Sequence, residues 1–481
     1  MHKNKSLKII SGPLAAIIVW LFFDLDATNV NVTLMAGIAL WISIWWLTEA
    51  IHLSVTALIP LLLIPMLGLA DVRIIASQYM DSIIFLFIGG FILAIAIEKW
   101  GLHNYFARFV LSKTGTTPSK ILLGVMIASF VISMWVSNTA TVLMLLATVI
   151  AIVGKLKVED ETNTDAIKKI TTALLIGLAY SASIGGMCTL VGTPTNMIFY
   201  KEFTKLYTTQ YEMNFFVWFK YAFPIALILL LAAFSVLYIL FIRKVRHVKI
   251  TFHDFRLEKR MSKNQKVVSI IFICTVLLWF TRSTIDFGFV KFYGWSNWFK
   301  MPNYIDDSVV AILMAVLLFL IPASSKLEAL MTWDDAQKIP FDIVLLFGGG
   351  FALAKGFEVS GLSNWIASHL HVYSQSSLFL FVFIVVVLTC VISEFASNVA
   401  CIQLMLPILN AVIINTTISP MVILVPATLA ASLGFVMPVA TAPNTIVYGT
   451  KLVRTIDMAH AGFWVDVIGI ILISCSAFFM L

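Results

Sequence analysis

The chain has 481 residues, of which 60% are hydrophobic and only 12% charged, and its mean hydropathy is +0.98. An ordinary soluble domain is about a quarter charged, so a soluble fold is excluded, and the alternating segments of about ten residues that mark a membrane β-barrel are missing. The net charge of +7 is concentrated in a few loops, which suits membrane topology and not nucleic-acid binding.

Apolar runs of about 20 residues, enough to cross a bilayer, recur from end to end. The first helix is predicted over about 7–23; it lacks a small-residue cleavage site and further spans follow at once, so it is a retained helix and not a signal peptide. Helices follow over about 31–51, 53–70 and 81–99, the last continuing into an amphipathic stretch over 100–111. Next comes an apolar block over 121–153, interrupted by Ser137-Asn138-Thr139. Two more spans cover about 171–200, broken by Gly185-Gly186 and Gly192-Thr193-Pro194, and 215–242. The order then repeats: about 267–282, 307–322 and 342–358, a block over 376–413 broken at Ser397-Asn398, a span over 421–448 broken by Gly434, Pro438 and Pro443, and a last helix over 462–481.

The repeat has a fixed offset of 260, since Ser137-Asn138 falls on Ser397-Asn398 and Phe87 and Phe91 fall on Phe347 and Phe351. Glu98 likewise falls on Glu358 and Gly101-Leu102 on Gly361-Leu362. Each copy thus carries a polar triplet at membrane depth, costly unless it faces protein, water or a ligand. That combination points to a transporter.

Each interrupted block could be one overlong tilted helix or a re-entrant hairpin with the triplet at its tip. Charge separates the two. The N-terminus (Lys3, Lys5, Lys8) is basic and the stretch Arg243 to Lys266 holds nine Lys/Arg, so both lie inside. Six full crossings connect them and seven would not, so the first block enters and leaves on one side. Arg108, Lys113 and Lys120 before it, with Lys155, Lys157, Lys168 and Lys169 after it, make that side the cytoplasm. The second block enters from outside, flanked by a segment, His369 to Ser377, without Lys or Arg. The fold class is therefore an all-α polytopic membrane protein with 11 transmembrane helices and two re-entrant hairpins in two inverted repeats, its N-terminus cytoplasmic, in the plasma membrane. The divisions are an N-terminal helix (1–30), a first repeat (31–242, hairpin 121–153), a cytoplasmic basic loop (243–266) and a second repeat (267–481, hairpin 376–413).

Asn and Thr at a helix break supply donors, and the following half-helix offers free N–H groups and a positive dipole end. Two such tips meeting near the midplane suit an anion with two separated negative groups, and carbonyls released at the breaks can hold Na⁺. A second pair of breaks agrees: Gly192-Thr193-Pro194-Thr195-Asn196 parallels Ala440-Thr441-Ala442-Pro443-Asn444. Five cysteines without paired spacing read as small buried residues. Among the eight histidines there is no HExxH or comparable cluster, and there is no nucleotide-binding loop. No nucleophile–base or metal set supports an enzyme, so no cofactor is expected.

In Trp135-Val136-Ser137-Asn138-Thr139-Ala140-Thr141, Phe395-Ala396-Ser397-Asn398 and the Gly-Thr-Pro and Ala-Thr-x-Pro-Asn breaks, nearly the whole chain resembles the divalent anion:Na⁺ symporter family of di- and tricarboxylate transporters. The resemblance implies substrate contacts at Ser137, Asn138, Thr139, Ser397, Asn398 and Thr441. It implies one Na⁺ site on Ser133, Ser137, Asn138 and Gly186, and a second on Ser393, Ala396, Asn398 and Ala440. It also implies a homodimer. Two departures stand out: Val399 replaces the Thr of the second triplet, and Ala442 stands where the family commonly has Pro.

The expected function is transport of a C4-dicarboxylate such as succinate, Na⁺-coupled, by an elevator or rocking movement, with membrane lipid the other partner and nucleic acid none. Dicarboxylate exchange is the close alternative and an anion channel a further one. Glu394 reads either as a proton or cation ligand or, preferably, as a structural partner to a hydroxyl or a basic group. Glu49 is expected to face the interface, and Trp45, Trp46, Trp295 and Trp298 to act as interfacial anchors.

Overall fold

In a computed structural model of the chain, the described residues are 2–115, 117–154, 164–207, 211–246, 261–286, 291–324, 328–370, 378–413, 416 and 418–480. Lys155, Lys157, much of the basic loop and nearly all of the segment from His369 to Ser377 lie outside them.

Helices α1 (His2–Phe22) and α2 (Val30–Thr48) pack on each other along their length. Short pieces α3 (Leu53–Thr56), α4 (Ile59–Met66) and α5 (Val72–Ala76) follow, where one helix over 53–70 was expected. Helix α6 (Ser82–Lys99) starts at Asp81, whose carboxylate accepts from the Ile83 N–H at 3.2 Å. Helix α7 (Leu102–Thr114) turns away from α6 at Gly101, whose φ of +66° a residue with a Cβ rarely adopts. The two arms of the first interrupted block are α8 (Pro118–Ser133) and α9 (Asn138–Gly154). The first broken span is α10 (Thr164–Gly186) and α11 (Pro194–Tyr207), and α12 (Phe215–Leu237) closes the copy.

The second copy begins with α13 (Lys263–Phe280), opened by a reciprocal cap between Ser262 and Gln265. A two-residue antiparallel ladder, Ile285–Asp286 with Lys291–Phe292, is an exception to the all-α expectation. There follow α14 (Asp307–Leu320), the single turn α15 (Trp333–Ala336), α16 (Phe341–Ser360) and α17 (Leu362–Leu370). Gly361, at φ +80°, makes the corner between α16 and α17 that Gly101 makes between α6 and α7. The second interrupted block is α18 (Leu378–Phe395) and α19 (Asn398–Ile413); the second broken span is α20 (Pro420–Ala430) and α21 (Ala442–Gly449); and α22 (Thr455–Ser476) follows. Eight helical stretches among the described residues are long and apolar enough to cross a membrane.

Packing repeats with the sequence. Both arms of each block lie on the first half of their own broken span, α8 and α9 on α10, α18 and α19 on α20. The second halves cross over: α11 packs on α19 and α20, and α21 on α9 and α10. At the equivalent glycines two further helix pairs meet closely, since a Cβ on Gly89 would lie 2.7 Å from the Ala311 backbone and one on Gly349 would strike Ala57. One apolar core holds the blocks and broken spans; a smaller one joins α2, α3 and α4 to α16.

One expected interfacial anchor sits elsewhere. Trp46 is fully buried in the smaller core, its indole donating to the Leu53 carbonyl at 3.2 Å, because α3 folds back over that face of α2. Trp298 is 85% exposed, as an anchor should be. Glu49 is exposed at the end of α2.

Candidate functional site

Helices α9 and α19 both begin at the Asn of their triplet. The Ser137 hydroxyl accepts from the Ala140 N–H at 3.3 Å, capping α9. Five residues before each Asn, a fully buried serine donates to its side-chain oxygen: Ser133 to Asn138 at 2.8 Å and Ser393 to Asn398 at 2.9 Å. Each Asn amide is thereby oriented, its oxygen held back in the protein.

The broken spans are braced the same way in both copies. Asn196 Nδ2 donates to the carbonyls of Gly186 (3.0 Å), Met187 (3.2 Å) and Thr189 (2.7 Å). Asn444 Nδ2 donates to Gly434 (2.9 Å) and Met437 (3.2 Å). In each copy the Asn stands ten residues after the Gly it grips, since 196 − 186 and 444 − 434 both give ten. Thr195 and Ser432 join their hydroxyls at 3.1 Å where the two broken spans cross. Gly186 lies so close to Asn138 that a Cβ there would strike its Oδ1.

Both tips line one cavity of about 980 Å³. Its walls include Ser137, Asn138, Thr139, Ser397, Asn398 and Thr441, every residue expected to touch substrate, together with Ala396 and Ala440. Ser133, Ser393 and Gly186 lie behind the tips, within reach of the Asn oxygens but outside the cavity wall. From the tips the cavity runs to Lys8, Glu49, Glu98 and Lys338, so it opens at the end of the molecule where α1 begins. No other Lys or Arg lines it among the described residues. Beyond the cavity along α11, Lys201 reaches Asp81 at 3.2 Å and lies over the Phe351 ring at 3.5 Å, and Lys205 pairs with Glu358 at 2.9 Å.

Val399 and Thr139 both line the cavity, so one tip presents a hydroxyl and the other a methyl pair. Ala442 occupies the first position of α21, directly before Pro443. The partner expected of Glu394, a hydroxyl or a basic group, is not what it meets. Its two oxygens accept from the backbone N–H groups of Val436 (3.0 Å) and Met437 (2.9 Å) in the second break, and Phe435 N–H donates to Asp466 at 3.2 Å. The Glu394 and Asp466 carboxyl groups, which also meet each other, brace backbone donors that the helix break leaves free. The gripping role of Asn196 and Asn444 was also missed; their matched place three residues after Thr193 and Thr441 was the available signal.

The sodium:sulfate symporter transmembrane region, as a family model, matches residues 4–480. A sodium-dependent dicarboxylate transporter SdcS of Staphylococcus saprophyticus is 34% identical, over 99% of this chain and 93% of the relative. The transporter of the same name from Staphylococcus aureus strain USA300 is 33% identical, over 98% and 90%. Among solved structures, the YdaH transporter of Alcanivorax borkumensis superimposes with a TM-score of 0.56 at 9% identity, over 84% of this chain and 87% of that one, a likeness of fold. The chain belongs to the sodium:sulfate symporter family, the divalent anion:Na⁺ symporters that its motifs resemble, and is an integral membrane transporter and not an enzyme.

Proposed function

We propose that the chain is a secondary active transporter that carries a C4-dicarboxylate such as succinate, together with Na⁺, across the plasma membrane. One observation carries this reading: two Ser-Asn helix starts face a single cavity whose lining, among the described residues, has no Lys or Arg besides Lys8 and Lys338. Each start offers N–H groups and a dipole end to one carboxylate, so the pair suits a diacid. Two helix ends supply only about half a charge each, so a dianion at this depth needs further positive charge, which bound Na⁺ provides. The names of the staphylococcal relatives agree on both ions.

The residues behind the tips suit Na⁺. Around the single Ser393 hydroxyl lie Asn398 Oδ1 (2.9 Å), the Ala431 carbonyl (2.7 Å) and the Leu433 carbonyl (2.9 Å). One hydrogen cannot serve three acceptors, and such a gathering of oxygens favours a cation. In the first copy Ser133, Asn138 Oδ1 and Gly186, where even a methyl group has no room, form the matching cradle. Substrate and Na⁺ share Asn138 and Asn398, the amide facing the anion and the oxygen the cation, so filling one side orients the other.

The arms α8 (16 residues) and α9 (17 residues) would each measure about 25 Å, short of a hydrocarbon core of about 30 Å. This supports a re-entrant first hairpin; the second hairpin, eleven crossings, inverted repeats and a cytoplasmic N-terminus rest on the repeat and on the placement of Lys and Arg along the chain. The cavity then opens to the cytoplasm, and an elevator movement of the hairpins and broken spans would open it outward. The homodimer rests on the family resemblance alone.

Uptake of labelled succinate into proteoliposomes, with and without a Na⁺ gradient and with or without internal dicarboxylate, tests the proposal. Gradient-driven accumulation is the expected result. Internal dicarboxylate driving uptake without Na⁺ would make the protein an exchanger, and flux without trans-stimulation would make it a channel.

A further inference from the structure

A second cavity, of about 480 Å³, lies on the other side of the first hairpin tip. It is walled by α7 (Phe106, Phe109), the end of α8 and its turn (Ile132, Trp135) and α13 (Phe272, Ile273). Val136 borders both this cavity and the substrate cavity. Two of its polar lining groups are turned to backbone: Ser269 Oγ donates to the Gln265 carbonyl at 2.7 Å and His103 Nδ1 lies 3.5 Å from the Ile97 carbonyl. Water would find few partners there. The mouth faces lipid, since Phe109 is 47% and Ile273 55% exposed.

We propose that this cavity holds one acyl chain of an anionic phospholipid from the leaflet at the Lys8 end of the protein. Depth is the first argument. Along α13 the wall runs from Met261, just before the helix, to Ile273, a rise of about 16–18 Å, and half a hydrocarbon core is about 15 Å. Charge is the second. Lys266 lies on the same face of α13 as Ser269 and Ile273, one turn nearer the membrane surface, and Arg108 adjoins Phe109 on α7. Both are exposed, and neither is in an ion pair among the described residues. Two cations flanking an apolar slot one leaflet deep, with stems long enough to reach toward its surface end, suit a phosphate headgroup above its own chain. The chain would lie behind Val136 and support the first tip from the side away from substrate. The inference depends on the chain spanning a membrane and not on which anion it carries.

The test uses the full chain in phosphatidylcholine vesicles containing a minority of phosphatidylglycerol, with a photoactivatable diazirine placed mid-chain in one lipid or the other. Phosphatidylglycerol is expected to label α7, the turn at Trp135 and α13 more strongly than phosphatidylcholine does. Arg108→Gln and Lys266→Gln should each weaken that preference about fivefold, the factor for about 1 kcal/mol per cation near the surface. Ile273→Trp, which fills the slot, should cut labelling at Trp135 severalfold while labelling of lipid-facing Ile471 on α22 stays constant and so reports intact protein. Ser269→Phe serves the same end if Ile273→Trp does not yield folded protein. Equal labelling by the two lipids would overturn the anionic headgroup. Undiminished labelling at Trp135 in the filled variants would overturn the site.

Discussion

The two halves make the same site with different supports. In both, a buried serine five residues upstream fixes the tip Asn, and an Asn ten residues downstream grips the Gly carbonyl of the broken span. Around this shared frame the halves diverge. The first break is short (residues 187–193) and is braced by Thr189, whose hydroxyl donates to the Met134 carbonyl. The second is longer (residues 431–441) and is braced by Glu394, which replaces the thioether of Met134 with a carboxylate gripping two N–H groups. What the repeat keeps is the geometry of the two tips at the cavity; how each break is held open is free to differ.

Substituting the shared frame should cost most. Asn138→Ala and Asn398→Ala are each expected to lower Na⁺-driven succinate uptake by about 10- to 100-fold, the worth of hydrogen bonds to a charged partner. Unchanged uptake in either variant would detach that tip from the site. The braces should separate next. Glu394→Gln turns one acceptor into a donor facing an N–H, so thermal unfolding of the purified protein should show a loss of about 1–3 kcal/mol. Met134→Leu, at the equivalent place in the first half, should cost under about 1.5 kcal/mol.

The two gripped glycines should fail for different reasons. At Gly186 a methyl group collides with Asn138 Oδ1, so Gly186→Ala should weaken the Na⁺ dependence of uptake about tenfold with little change in fold. At Gly434 the nearest side-chain atom would lie 3.4 Å away, but φ is +153°, so Gly434→Ala should lower stability by about 1–3 kcal/mol through the backbone. The mildest change addresses the unequal tips. Val399→Thr restores a hydroxyl to the second tip and should reduce KM for succinate about two- to tenfold, one neutral hydrogen bond's worth. An unaltered KM would place residue 399 off the substrate.

The offset of 260 made the paired tips legible, and the cavity brings together every residue expected to touch substrate. Helix boundaries were legible where apolar runs end at caps, as at Asp81 and Asp306. They were not legible where helices outrun the apolar stretch: α22 starts at Thr455 and not near 462, because Asp457 and His460 continue it into polar surroundings. Pro60 and Pro65 fall within the span expected over 53–70, of which α3 and α4 are the helical pieces. Trp46 escaped because an aromatic near a helix end looks the same whether it meets headgroups or another helix. Glu394 escaped because its partners are backbone N–H groups, which have no letter in a sequence.

The one-sided opening of the main cavity also shapes the electric field. With the cavity open to the cytoplasm as proposed, water reaching the tips would carry little of the membrane voltage, and most of the drop would fall beyond them, toward Lys201 and Asp81. Moving one elementary charge through the full drop is worth about 2.3 kcal/mol per 100 mV. Ions arriving from the open end would therefore bind almost independently of voltage, and the voltage would act on the step that turns the loaded site to the other side. On the proposed elevator reading, membrane potential is converted into a bias on which way the protein faces, more than into a change in how tightly it binds.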